Sequence, residues 1–136
     1  MPSSSTLSKL ARVLLVDDNE AMLKRASAVL SPHFLIVEKV QDGQAALDAA
    51  QTLQPDVIVL DISMPGMTGL EIASRLRRSG STAAVVFLTV HDEEDFVLAA
   101  KAAGGIGYVV KTRLVSDLVL AVQEAHAGRP FVSPIR

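Results

Sequence analysis

The sequence predicts an α/β domain, doubly wound, with a five-stranded parallel sheet and helices on both faces. Three observations carry this. Five short apolar runs alternate with five segments of helical spacing, and parallel strands need such crossovers, which are right-handed. The first, third and fourth runs are almost wholly apolar, as strands buried on both faces must be, whereas the second carries Glu38 and Lys39 and suits an edge. Turn residues fall between the units rather than inside them. Together these favour the flavodoxin-like strand order 2-1-3-4-5 over a barrel.

The first run, 12–17 (RVLLVD), precedes a helix with Met22, Ala26, Val29 and Leu30 on one face. The second, 34–40 (FLIVEKV), is followed by Ala46, Leu47 and Ala50 at helical spacing. The third, 56–60 (DVIVL), runs into Asp61 and then the PG and TG turns; Leu70, Ala73 and Leu76 follow, and SGS closes that helix at Gly80. The fourth, 83–90 (AAVVFLTV), leads to Val97, Ala100 and Ala103, with the acids of DEED (92–95) at the helix's amino end and Gly104 and Gly105 at its close. The fifth, 106–110 (IGYVV), leads through Lys111 to Leu114, Leu118, Ala121, Val122 and Ala125. Spacings near i, i+3, i+4 and i+7 give each helix one apolar face.

At 136 residues the chain forms one domain with room for a full core. Residues 1–10 (MPSSSTLSK and Leu10) are expected to be a flexible arm, 11–128 the domain, and 129–136 a C-terminal tail or the start of a linker to a further effector domain. No cysteine is present, which removes disulfide, thiolate and Cys-ligated zinc chemistry together. A formal net charge of −2 argues against direct nucleic-acid contact by this chain. No apolar run approaches the roughly 18 residues of a membrane span, and the start lacks a signal peptide's apolar core. The expectation is a soluble, cytoplasmic protein.

In a doubly wound sheet, function collects at the carboxyl ends of the strands, where the strand order reverses. There the sequence places Asp17 and Asp18 after the first strand, Asp61 after the third, Thr89 at the fourth and Lys111 after the fifth. Carboxylates gathered in one crevice repel unless a cation or protons compensate them. With oxygen donors and no histidine or thiolate, the natural partner is Mg²⁺. A metal, a lysine and a hydroxyl suit a phosphoryl group, and Asp61 is then the nucleophile, forming an acyl phosphate. Taken singly, Asp61 could start an Asx-turn, Asp17 and Asp18 could cap a helix, and Tyr108 could be core filler. His33, His91 and His126 lie on different elements without ligand spacing.

The DD after the first strand, VLDISMPGMTGLEI, FLTVHDEEDF and GYVVK, in that order and spacing, resemble the response-regulator receiver domain of two-component signalling (CheY-like). The closing VLAVQEAHAGRPFVSP and a GYVVK without a following proline are most similar to its NarL/FixJ (LuxR-type) branch. The resemblance spans about Arg12 to Ala127. It implies that Asp61 accepts phosphate from a sensor histidine kinase, and that Asp17, Asp18, Asp61 and the main-chain carbonyl of Ser63 hold Mg²⁺. It further implies that Lys111 pairs with a phosphoryl oxygen, Thr89 swings towards another, and Tyr108 is the aromatic switch. Ser63 and His91 would tune phosphate hydrolysis. Such a protein is a phospho-accepting signalling domain rather than an enzyme, though it takes part in its own phosphorylation and dephosphorylation. Its expected output is control of a partner or an attached DNA-binding domain in transcription regulation. A homodimer would use the face of the fourth helix, fifth strand and fifth helix, or that of the first and fifth helices.

Two readings of other classes compete. A pseudo-receiver, a constitutive interaction module, should have lost at least one site position, and none is lost. A haloacid-dehalogenase-like phosphatase would carry Asp-x-Asp after its first strand, whereas these acids are adjacent and Asp61 follows the third.

Overall fold

The computed structural model describes residues 10–134, so the arm expected at 1–10 lies, Leu10 excepted, outside the described residues. The strands are β1 (Arg12–Val16), β2 (Leu35–Val40), β3 (Val57–Leu60), β4 (Ala84–Thr89), β5 (Gly107–Val110) and β6 (Phe131–Val132). The helices are α1 (Glu20–Leu30), α2 (Gly43–Leu53), α3 (Gly69–Arg78), α4 (Glu94–Ala102) and α5 (Leu114–His126), with a 3₁₀ turn at Lys111–Arg113. The strands form one sheet in the order β2-β1-β3-β4-β5-β6, and every pairing is parallel.

Alternation along each strand divides the core into two layers. Val13, Leu15, Val57, Val59, Val86, Leu88 and Val109 face α1 and α5, meeting Leu23, Leu30, Leu114 and Leu118. Their neighbours Leu14, Val16, Ile58, Leu60, Val85, Phe87 and Tyr108 face the other way, onto Ala46, Ile72, Leu76, Val97 and Ala100 of α2, α3 and α4. Because β1 and β3 are adjacent and their helices leave on opposite faces, a crevice opens at their carboxyl ends. This is the place the strand order predicts.

The helix starts explain how the loops hold their shape. Asn19 caps α1 by accepting the Met22 N–H at 3.0 Å, Asp42 caps α2 through Ala45 at 2.8 Å, and Thr68 caps α3 through Glu71 at 3.2 Å. Each satisfies an amide that the first helical turn leaves unpaired. Glu94 and Asp95 stand in the first turn of α4 without a side-chain cap. Gly80 and Gly104 take φ of +89° and +101° beyond the ends of α3 and α4, a backbone that favours glycine.

One expectation is corrected. The sheet does not end at β5: residues 131–132, in the segment assigned to a tail or linker, pair with it as Gly107↔Phe131 and Tyr108↔Val132. A two-residue strand behind Gly128, Arg129 and Pro130 is too short to leave an alternation, and its proline reads as a break.

Candidate functional site

The crevice is built by strand ends that run straight into polar residues. The Asp17 N–H donates to the Val40 carbonyl at 3.1 Å and the Asp61 N–H to that of Val16 at 3.0 Å, so both aspartates sit on the sheet's last rungs. Each is only 4% exposed, and Thr89 is fully buried. Asp18, one step further along, is exposed. Ligand oxygens of Asp17, Asp18 and Asp61 lie within 4.8 Å of one another.

Gly69 makes room for the loop after β3. A Cβ there would collide with the Asp61 carbonyl oxygen, and the Gly69 N–H donates to the Ile62 carbonyl at 2.7 Å. The start of α3 is thereby pressed against the acidic residue's own backbone.

Lys111 reaches across from the 3₁₀ turn, its Nζ 2.9 Å from Asp17 Oδ2 and 3.4 Å from Asp61 Oδ2. Asp17 Oδ2 is buried, and its charge contact with this ammonium is not joined by a hydrogen bond from any other described residue. The other Asp17 oxygen accepts the Asn19 N–H at 2.9 Å, and Asp61 Oδ1 accepts only a long bond from the Ser63 N–H at 3.3 Å. Burial raises the Asp61 carboxyl above its ordinary 3.8, and the Asp17 charge raises it further, against the opposing pull of Lys111 and the Ser63 amide. Three carboxylates against one ammonium leave two negative charges. That donor set, all hard oxygen, fits a divalent cation of the Mg²⁺ kind.

On the rim beside this crevice, Thr89 Oγ1 accepts the His91 N–H at 3.2 Å. Tyr108, 2% exposed, donates its hydroxyl to the His91 carbonyl at 2.9 Å. Burial and the charges of Glu93 and Asp92 push its phenol up to about 12, so it remains a donor at neutral pH. The His91 ring bonds Ser63 Oγ through Nε2 at 2.7 Å and stacks on Phe96 with centroids 3.9 Å apart. Asp17, Asp18, Asp61, Ser63, Thr89, His91, Tyr108 and Lys111 thus gather at one end of the sheet.

A second polar group was not anticipated. Asp117, 6% exposed, and Ser133, 1% exposed, are joined by a hydrogen bond of 2.7 Å from Ser133 Oγ to Asp117 Oδ2. Arg113 Nε donates to Asp117 Oδ2 at 2.8 Å and Ser116 Oγ to Oδ1 at 3.0 Å. A signal was available for half of it: Asp117 interrupts the apolar stripe of Leu114, Leu118 and Ala121 at a position that faces inward.

A doubly wound domain that gathers acids and a lysine at its strand-order reversal carries them where this class of fold builds its functional sites. Residues 13–123 match the response regulator receiver domain, and the chain belongs to that family. It is 33% identical over 125 residues to the nitrate/nitrite response regulator protein NarL of Escherichia coli (strain K12), covering 90% of this chain and 58% of the relative. To the nitrate/nitrite response regulator protein NarP of the same organism it is 39% identical over 124 residues, with the same coverage. The chain therefore spans less than two thirds of these relatives' length. The solved signal receiver domain of the putative response regulator NarL from Mycobacterium tuberculosis superposes with a TM-score of 0.84 at 31% identity, covering 88% of this chain and 98% of that one. The likeness to the NarL/FixJ branch and to the receiver fold is thereby established.

Proposed function

We propose that the chain accepts a phosphoryl group on Asp61 from the phosphohistidine of a sensor histidine kinase and changes conformation in response. A carboxylate oxygen of Asp61 attacks phosphorus and the P–N bond breaks. The freed imidazole nitrogen takes a proton from solvent. Hydrolysis reverses the state: water attacks phosphorus, and the aspartate and inorganic phosphate separate. The observation that carries this is the Asp61 carboxylate itself, buried beside Asp17 with Lys111 Nζ 3.4 Å away.

Asp17, Asp18, Asp61 and the main-chain carbonyl of Ser63 would hold Mg²⁺, which when bound neutralises charge on the phosphoryl oxygens. The chain's own groups do the rest. Lys111, already between two carboxylates, is placed to follow a new phosphoryl oxygen. Thr89, which accepts the His91 N–H, can turn to donate its hydroxyl to a second phosphoryl oxygen, and Tyr108 is linked to that movement through the His91 carbonyl. The bistable element is the loop from Thr89 to Glu93 with α4 and β5. The output is a change of partner, with the α4–β5–α5 face or the α1–α5 face as the homodimer surface, and transcription regulation in the cytoplasm as the setting. In the first of these faces β6 lies outside β5. Among the described residues no helix is long and apolar enough to cross a membrane.

The test is intact mass after incubation with a small phosphodonor and Mg²⁺. One phosphoryl adduct that needs Mg²⁺ and disappears in Asp61→Asn supports the proposal. No adduct under any divalent metal refutes it and moves the chain to the pseudo-receiver reading.

A further inference from the structure

We propose that Ser133 is a positioning residue for Lys111, so that the C-terminal strand is mechanically tied to the acidic site. The idea builds on the function proposed above and adds a residue that lies outside the crevice.

One hydroxyl makes the tie. Ser133 Oγ donates to Asp117 Oδ2 at 2.7 Å and accepts the Val110 N–H at 3.3 Å. Val110 is the residue before Lys111, and Asp117 lies in the first turn of α5, which begins where the 3₁₀ turn at Lys111–Arg113 ends. The hydroxyl therefore grips the turn from both sides. The turn's third residue, Arg113, donates Nε to the same carboxylate at 2.8 Å. Both ends of a three-residue turn thus converge on the Ser133–Asp117 pair, and its first residue is the lysine that spans Asp17 and Asp61.

Ser133 belongs to the end of the strand pair that closes the sheet. Its N–H donates to the Tyr108 carbonyl at 2.8 Å, and the Phe131 N–H donates to that of Ile106 at 3.1 Å. A buried hydroxyl with both a donor and an acceptor satisfied is costly to rearrange. Where Lys111 points hence depends on whether β6 is docked. By reciprocity, whatever moves Lys111 changes how firmly β6 is held. The rival explanation is a local clip that holds the C-terminal segment down and has no influence on the lysine.

The experiment compares the full chain with Ser133→Ala, Ser133→Thr, Lys111→Ala and the double variant Lys111→Ala/Ser133→Ala. It reads the hydrogen exchange of the Phe131 amide without any phosphodonor, and the rate of adduct formation by intact mass with acetyl phosphate and Mg²⁺. Lys111→Ala should speed Phe131 exchange about five-fold when Ser133 is present and have no further effect in the Ser133→Ala background, the size expected of modest coupling through packed elements. Ser133→Ala should slow adduct formation about ten-fold through misplacement of the lysine, and Ser133→Thr, which keeps the hydroxyl, should restore it. If Ser133→Ala does not fold, Asp117→Asn takes its place and should slow adduct formation by about three-fold, again through misplacement. Unchanged Phe131 exchange in Lys111→Ala overturns the tie. So does a Ser133→Ala variant that loosens β6 yet takes the phosphoryl group at the original rate. If the unaltered chain forms no adduct, the proposed function fails, while the exchange arm still decides for or against the coupling.

Discussion

Asp61 and Asp117 are both buried aspartates, 4% and 6% exposed, and burial penalises the charge on each; yet one is shifted up and the other down. At Asp61, burial and the neighbouring Asp17 charge prevail over Lys111 and one long amide bond. At Asp117, burial is outweighed by donors from Arg113, Ser133 and Ser116, and the carboxyl falls below its ordinary value. The difference is the number of donors aimed at the oxygens. A carboxylate surrounded by donors is a structural joint, whereas one left short of them beside a second acid is what the proposed phosphoryl acceptor requires.

The sharpest way to break this contrast is by chemistry. Asp61→Asn should lose the phosphoryl adduct entirely, while Asp117→Asn should slow it but keep it; intact mass decides, and an adduct surviving in Asp61→Asn would place the acceptor elsewhere. Next in size is Lys111→Ala, which should impair the phosphorylated-state response far more than Mg²⁺ affinity, as titration of metal binding against a conformational probe would reveal. Equal losses in both would remove Lys111 from a distinct phosphoryl role.

Stability should separate the two sites in sign. Without metal, Asp117→Ala is expected to cost about 2–3 kcal/mol, because it strands the buried Ser133 hydroxyl and frees Arg113, whereas Asp61→Ala should leave the unfolding temperature unchanged or raise it by relieving repulsion. Thermal melts in a chelator provide the comparison, and a fall of several degrees in Asp61→Ala would count against the repulsion. The smallest effect is in the pH dependence. Since the folded Asp61 carboxyl lies above 3.8, the folded state binds its proton more tightly. That contribution is fully present below 3.8 and is lost as pH rises through the folded value. Asp117 has the opposite sign: its contribution is present above 3.8 and is lost as pH falls through its lowered value. The gap between unaltered protein and Asp61→Asn should therefore narrow on acidification before the gap to Asp117→Asn does.

Much of this was legible before any coordinates. Buried parallel strands leave dense apolar runs, and the first, third and fifth runs here end on or run straight into a charged residue while the fourth carries Thr89 at its close, so the crevice could be placed from Asp17, Asp61, Thr89 and Lys111. Glu38 and Lys39 gave away the edge at β2. The β6 strand and the Ser133–Asp117 pair were not legible, for physical reasons. Two residues cannot display a period, and a serine in a C-terminal segment carries no sign of which carboxylate it will meet. The ring contacts of His91 depend on how two loops fold towards each other, which spacing along the chain does not encode. The way Lys111 is shared between Asp17 and Asp61 is likewise visible only once the lysine has a position.

The backbone of His91 is held at both ends, its N–H by Thr89 and its carbonyl by Tyr108. With only three histidines in the chain, selective isotope labelling of that residue type would yield a spectrum of few, assignable signals. One of them would carry the nitrogen and carbonyl resonances of both grips at once. A single residue could then serve as a built-in spectroscopic reporter, telling whether the threonine and the tyrosine let go together or one after the other.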